Sequence, residues 1–504
     1  MQQVLTDCFD VFTSHWYGCY EDHYQYSPFE RNEMNVYAYV ANDAYNGCVI
    51  GNVLERYFVS SSGIGIYVEN DVPLYFSLNP STKQMCLSAK YDNKPYLNIE
   101  NKLPYLKYTI CNENDVKQTH LTMSSKYIDN PRGIPNEELF RKPIEIDDVW
   151  TPHYCDYSFD DWKLSNASDM IKQIHDLGCN FTVWVHPFFE SDSQSVQDAS
   201  NNGYFLRESD SYGPALTSWW NGNTSGILDV ADSGAVTWFI EKMNSIRNKY
   251  GVDSFKFDAG EMTYIPNIYT SYNTAPNPCN IYPGQYVSRW RQRQIRIIAK
   301  RQIDKDSDWG HENACQTIIP TGLTMGLIGY PFVMTDMVGW NAYHNTFHDA
   351  ELFIRWTQLS AFFPLIQLSI APWNFNDTIE GNNVIDVVKH FVDLHTNLSE
   401  TFIAFANIST QTGEPIIRPL WWIDPLNKTS ITCEDEFLIG DKYLVAPVLN
   451  KGACVRNIYF PTGTLQALST AEKGNTFTGP MMTNNYSVPL NETAYFVNVI
   501  YLSG

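Results

Sequence analysis

Between about residues 140 and 400, short apolar runs alternate with helical periods. The helix-like Ala167–Leu177 precedes Phe181-Thr-Val-Trp-Val-His, and Ala235–Lys249 precedes Ser254-Phe-Lys-Phe-Asp. Strand, helix, strand, helix predicts a (β/α) barrel or a doubly wound sheet. The flanks have another texture. Residues 1–130 read as short β runs at Val36–Ala41, Gly63–Val68, Leu74–Leu78 and Tyr105–Ile110, parted by Asn, Asp, Gly and Pro clusters, a β-sandwich pattern. Short strands return after about 405, at Glu436–Leu438, Tyr443–Val448 and Asn457–Phe460. The expected organisation is a β domain at 1–135, an α/β domain at 136–404 and a second β domain at 405–504.

Charge narrows the partners. Lys and Arg number 34 against 56 Asp and Glu, a formal charge of -22, which argues against phosphate backbones and anionic membranes. Nucleic acid is not expected, and no run of 18 apolar residues predicts a membrane span. Aromatics make up 14%, which suits either a large core or a cleft where rings stack on sugars. The 11 cysteines contain no CxxC and no metal-ligand spacing, so no metal is expected, and the odd count leaves at least one thiol free. Nine Asn-x-Ser/Thr triplets, at Asn166, Asn180, Asn223, Asn376, Asn397, Asn407, Asn427, Asn485 and Asn491, hint at the secretory pathway, although the chain starts without a signal or anchor pattern. A homo-oligomer stays open.

Chemistry concentrates where apolar strands end. Ser254-Phe-Lys-Phe-Asp-Ala-Gly-Glu261 places Asp258 at a strand end, where barrels gather catalytic groups, although an Asp there also serves as a helix cap. Asp304, Asp306 and Asp308 crowd beside Trp309; positions six and twelve counted from Asp304 are Trp309 and Cys315, which excludes an EF-hand loop and leaves a solvated acidic loop as the plain alternative. Glu145-Ile-Asp-Asp-Val-Trp, Trp184-Val-His186, Trp219-Trp220-Asn-Gly, Asp229 and Tyr330-Pro-Phe-Val-Met-Thr-Asp336 repeat the theme. Together they suggest an acid-and-aromatic pocket for carbohydrate, with the paired carboxylates that glycoside hydrolysis needs.

Those motifs, with Leu139-Phe-Arg-Lys-Pro-Ile, Arg355-Trp-Thr-Gln-Leu-Ser-Ala-Phe-Phe-Pro, Pro415-Ile-Ile-Arg-Pro-Leu-Trp-Trp and Phe437-Leu-Ile-Gly-Asp-Lys-Tyr, run in order over roughly 135–460 and resemble glycoside hydrolase family 31, within it the animal myogenesis-regulating glycosidase branch. The resemblance implies an N-terminal β-sandwich, a (β/α)8-type barrel and a C-terminal β-domain. It implies a retaining α-glycosidase with Asp258 as nucleophile and Asp304 as acid/base, and sugar-binding positions at Asp147, Asp148, Trp184, Trp220, Asp229, Arg301 and Asp336. No cofactor is implied. Gln367-Leu-Ser369 stands where α-glucosidases of the family carry Arg-Asn-His, which resembles the myogenesis-regulating branch; that resemblance implies a terminal α-galactosyl unit as the substrate, with α-glucoside as alternative.

Three departures from the family pattern point the other way. Ile144 meets Glu145 where a barrel strand and helix normally intervene, so one β/α unit is expected to be missing, and the stretch between Trp290 and Asp304 is short. Val149 replaces an Asp that the family pattern assigns to sugar contact. An inactive sugar-binding relative is therefore the competing expectation.

Overall fold

The structure, a computed structural model, describes residues 3–502 apart from 12, 44–49, 80, 93–94, 97, 99–100, 135–142, 209–212, 267–299, 340–348 and 376–377. The Leu139–Lys142 part of the first family motif and the shortened stretch after Trp290, up to residue 299, lie outside the described residues.

Eight strands build the N-terminal part. β1 (Leu5–Asp10), β7 (Gln84–Ala89), β6 (Leu74–Asn79) and β3 (Met34–Ala38) form one antiparallel sheet in that order; β2 (Trp16–Asp22), β4 (Ile50–Ser60), β5 (Ile64–Val68) and β8 (Tyr108–Asn112) form the other. The two sheets bury alternate rings between them, and Phe58 stacks on Phe76 with centroids 5.7 Å apart. Cys8 and Cys86 join β1 to β7 through a disulfide. The reading of short β runs did not anticipate helix α1 (Val116–Tyr127), which Asp115 caps by accepting from the Gln118 N–H. Its buried face includes Thr119, His120 and Ser124, so polar residues mask the apolar period.

The middle of the chain alternates as expected. β9 (Pro143–Ile146) and β10 (Asn180–Val185) pair in parallel, with α2 (Ala167–Asp176) between them in sequence. A hairpin-like sheet of β11 (Phe188–Glu190), β12 (Leu216–Trp219) and β13 (Gly222–Ile227) follows, with α3 (Gln194–Asn201) inserted. Helix α4 (Ser233–Tyr250) then leads to β14 (Ser254–Phe257), which pairs in parallel with the other edge of β10. Asp232 caps α4 by accepting from Gly234 and Ala235, and Gly251 ends it at φ 85. β15 (Lys300–Arg301) pairs in parallel with β16 (Val333–Met334), and Met334 bridges onward to Leu365. Two parallel arcs of a (β/α) barrel thus face each other. Ile144 and Glu145 sit in one unbroken strand, opposite Phe181 and Thr182, with no intervening unit.

Helices α5 (Ile318–Leu327), α6 (Ala350–Ser360) and α7 (Val384–Thr412) back the second arc, and the small hairpin of β17 (Thr378–Ile379) and β18 (Asn382–Asn383) opens α7. The expected boundary at 404/405 falls inside α7, whose apolar period continues to Ala406 before Gly413 caps it at φ 76. A six-stranded antiparallel sheet then closes the chain, ordered β19 (Ile417–Arg418), β20 (Phe437–Ile439), β21 (Tyr443–Ala446), β24 (Ala494–Asn498), β22 (Val455–Ala467), β23 (Thr476–Ser487).

The barrel's two arcs belong to different cores. Ile171, Phe181, Val183, Phe239 and Ile246 pack behind the first. Leu323, Trp356, Phe402, Phe437 and Phe496 pack behind the second, continuous with Tyr17, Tyr57 and Val116 of the N-terminal part. Among the described residues no helix is long and apolar enough to cross a membrane.

Candidate active site

Period-two alternation on β14 puts Lys256 and Asp258 on one face, between Phe255 and Phe257. Asp258 leaves the strand with its N–H donating to Val185 O, so its carboxyl is delivered beside the end of β10. There Trp184 Nε1 donates to Asp258 Oδ2 (2.8 Å) and the Ala259 N–H to Oδ1 (2.9 Å). Ala259 holds a left-handed φ of 60, a strained conformation for a residue with a Cβ, directly after the carboxylate. Burial raises the Asp258 pKa most, but the Lys256 and Arg301 charges and the two hydrogen bonds together outweigh it and hold the group below the usual carboxylate range. It is ionised at neutral pH.

Lys256 is the pivot of the first arc. Its Nζ donates to Asp147 Oδ2 (2.6 Å) and lies 3.3 Å from Glu145 Oε1. On the second arc, Arg301 pairs with Asp304 (2.6 Å) and with the fully buried Asp336. Burial pushes Asp336 up to about 6 against the pull of Arg301. Arg301 and Lys256 influence each other and Asp258 electrostatically, so the two arcs meet as one charge cluster. Asp147, Asp258, Arg301, Asp304 and Asp336 are brought together in it.

The Trp219-Trp-Asn-Gly222 motif has a local explanation. Trp219 Nε1 donates to Glu190 Oε1 (2.8 Å), Asn221 Nδ2 donates to Asp148 Oδ2 (2.7 Å), and a Cβ at Gly222 would fall 1.6 Å from Glu190 Oε1. Trp219 is thereby fixed against Phe188 (4.8 Å), His186 (4.5 Å) and Trp184 (6.2 Å), while Trp220 is half-exposed and meets Tyr264 at 5.3 Å. A cleft of about 800 Å³ opens here, lined among others by Trp219, Trp220, Asn223, Thr263 and Tyr264. Trp184 itself is buried and serves Asp258 by its hydrogen bond. Asp148 ties the motif to the end of β9. Asp229 lies in the turn that opens α4, its Oδ1 accepting from the Ala231 N–H.

Val149 sits beside these residues with φ 60, its N–H donating to Asp148 Oδ1 (2.6 Å). A β-branched residue is strained there by about 1–3 kcal/mol, whereas Asp or Asn adopts this region readily.

Lys256, Glu145 and Glu261 stand inside the motifs quoted from the sequence but were given no role there. For Lys256 the signal was available, since a Lys two residues before Asp258 shares its face of the strand. Glu261 is buried three residues after Asp258, and burial, then the Asp258 charge, push it up to about 8. The segment that carries it docks on the N-terminal part: the Met262 N–H donates to Ala41 O, and Tyr264 OH to Asp43 Oδ2 (2.7 Å). As for metals, one trio among the described residues has converging ligand atoms, Cys433, Asp435 and Glu436; it lies in the C-terminal sheet domain, and Arg456 already pairs with both carboxylates.

Two buried acids give the fold a pH signature. Burial pushes Glu261 and Glu436 up to about 8, from an ordinary 4.5. Each keeps its proton in the folded state after the unfolded chain has lost it, so the stability it contributes is full below 4.5 and is lost as pH rises through about 8. Buried His120 and His186, pushed down to about 3, act oppositely but only below 6.5. The melting temperature is therefore expected to fall between pH 6.5 and about 8; a scanning-calorimetry series showing it rise over that interval contradicts the assignment.

The fold that carries these residues has known relatives. Residues 133–402 match the family model described as Glycosyl hydrolases family 31 TIM-barrel domain, and residues 413–499 the Glycosyl hydrolase family 31 C-terminal domain. The chain is 33% identical to the myogenesis-regulating glycosidase of Mus musculus, over 96% of this chain and 74% of that protein. It is 26% identical to the SITS-binding protein of Tetronarce californica, over 98% and 76%. A cycloalternan-degrading enzyme from Trueperella pyogenes, solved in complex with a covalent intermediate, superposes with a TM-score of 0.80 at 16% identity, covering 98% of this chain and 77% of that one.

Proposed function

The chain belongs to glycoside hydrolase family 31, and from that premise we propose that it is a retaining α-glycosidase that removes a terminal α-galactosyl unit from a glycan. The observation that carries this reading is the pairing of carboxylates across the two arcs: Asp258, held ionised by Lys256 and Arg301, faces a cluster in which Arg301 also holds Asp304. In the first step an Asp258 oxygen attacks C1 of the sugar, the C1–O bond to the leaving group breaks, and Asp304 gives its proton to the departing oxygen. In the second, water attacks C1, the Asp258–C1 ester bond breaks, and Asp304 takes the water's proton. Two inversions return the α configuration. Asp147, Arg301 and Asp336 are read as the polar wall of the sugar site, with Trp220 as its aromatic edge.

Galactoside is favoured over glucoside by Gln367. It reaches Glu145 from the second arc (3.4 Å), and its Oε1 is buried without a hydrogen-bond partner. Aryl α-galactoside is expected to be hydrolysed with kcat/KM about tenfold or more above aryl α-glucoside, because an unpaired buried polar group penalises the wrong epimer. NMR should show the α-anomer of the sugar first. Faster glucoside turnover, or β-anomer first, removes the corresponding part of the reading.

A sugar-binding protein without turnover is the second reading, favoured by Val149 in its strained turn and by the unbroken Ile144–Glu145 strand. The secretory pathway is supported as the working compartment by the Cys8–Cys86 bridge, which persists in oxidising surroundings, and by exposed triplet residues Asn166, Asn223, Asn397, Asn407, Asn485 and Asn491.

A further inference from the structure

The N-terminal β-sandwich reaches the acid side of the site through the end of β2. Glu21 and Asp22 are buried there, and Glu21 Oε1 accepts from the Ile303 N–H at 2.7 Å. The Lys305 N–H, on the other side of Asp304, donates to Asp336 Oδ2 at 2.5 Å, and the Asp304 carbonyl accepts from Asn313 Nδ2, also at 2.5 Å. Asp304 therefore stands between two backbone N–H groups that are each gripped by a buried carboxylate. One of those carboxylates comes from 282 residues away in sequence.

The rest of the contact is built to hold that grip. Gly51 on β4 presses on it: a Cβ there would lie 3.0 Å from Glu21 O and 3.3 Å from both Glu21 Cγ and Ile303 Cγ2. Further along, the Asn313 N–H donates to His23 O (3.0 Å), Tyr24 OH donates to Glu312 Oε1 (2.9 Å), and Tyr26 stacks on His311 with centroids 4.7 Å apart. Residues 21–26 thus clamp both ends of the loop from 303 to 313. Lys305 is fully buried, with Nζ 3.4 Å from Thr321 Oγ1, and Glu21 is the acid that acts on it most strongly, ahead of Asp336.

We propose that Glu21 is a positioning residue for proton transfer: by accepting from the Ile303 N–H it aims the Asp304 carboxyl at the leaving-group oxygen, so the β-sandwich is a working part of the catalytic apparatus. This rests on Asp304 being the acid. Proton delivery tolerates little displacement, whereas the attack by Asp258, on the other arc, does not depend on Glu21.

The test uses the full chain and two substrates, 2,4-dinitrophenyl α-galactoside, whose leaving group departs unprotonated, and methyl α-galactoside, whose leaving group needs the proton. Glu21→Ala is expected to lower kcat/KM on the methyl glycoside by about tenfold to a hundredfold, and kcat/KM on the dinitrophenyl glycoside, which reports formation of the glycosyl-enzyme alone, by less than about threefold. Glu21→Gln keeps the acceptor and is expected to restore the methyl glycoside rate to within about threefold. Glu21→Ala strands the buried Lys305 charge; if that variant does not fold, Glu21→Leu with Lys305→Met removes both charges and the acceptor together and must show the same substrate split. Equal loss on both substrates, no loss, or a Gln variant as impaired as the Ala variant overturns the proposal. Asp304→Ala is run in parallel. If it fails to separate the two substrates, the acid assignment has failed and the proposal with it; if it separates them and Glu21→Ala does not, only the role of Glu21 is lost.

Discussion

Asp258→Asn is expected to abolish turnover, by about ten thousandfold or more in kcat, while the protein stays folded and still binds sugar. The substitution preserves shape but not chemistry, because an amide cannot form the glycosyl ester. Its effect on the site is also definable. Asp258 accepts from Trp184 Nε1 and from the Ala259 N–H through different oxygens, and Asn has one carbonyl oxygen, so one of those donors loses its acceptor. The Lys256 and Arg301 charges lose the favourable Asp258 charge beside them as well, while keeping their other acidic partners. A modest fall in melting temperature should accompany the loss of activity. Purified variant retaining more than about 1% of the parent rate on dinitrophenyl glycoside takes the nucleophile role away from Asp258.

Asp304→Ala should behave differently, and the difference identifies it. On methyl α-galactoside the loss is expected to reach about a thousandfold or more; on the dinitrophenyl glycoside formation of the glycosyl-enzyme should be nearly unchanged, with its breakdown now slow because no base activates water. Added azide needs no general base. It should accelerate the dinitrophenyl reaction and yield the α-glycosyl azide, since attack on the β-linked ester inverts once more. Absence of azide acceleration together with equal losses on both substrates would falsify the acid/base assignment.

How much of this was legible beforehand depends on the range over which the physics acts. β10, β14, α2 and α4 are local: their apolar periods and caps lie within a single stretch of chain, and the observed bounds differ from the expected ones by a residue or two. The strand-end position of Asp258 follows from the same local pattern. α1 was hidden because its buried face is polar. The boundary near 405 was placed early because the period of α7 runs on to Ala406. Glu21 had no local signal at all; in sequence it is an acid at the end of a wholly buried strand, and its purpose appears only when Ile303 and Lys305 arrive from the far side of the barrel. Cys8–Cys86 is of the same kind, since spacing does not select partners among 11 cysteines. Trp184 was identified as a site residue from its motif, but that its indole N–H would serve a carboxylate required the parallel register of β10 and β14.

The division of the barrel between two apolar cores bears on how the protein fails. Among the described residues, Asp258 is carried by one core and Asp304 by the other, and charges and a hydrogen bond link the two arcs where the two apolar clusters stay separate. Such a seam can part by a fraction of an ångström under mild denaturant or high salt while both cores keep their secondary structure. Enzymatic competence and circular dichroism then report on separate cooperative units, and a sample that looks native by spectroscopy can already have lost the alignment its chemistry requires.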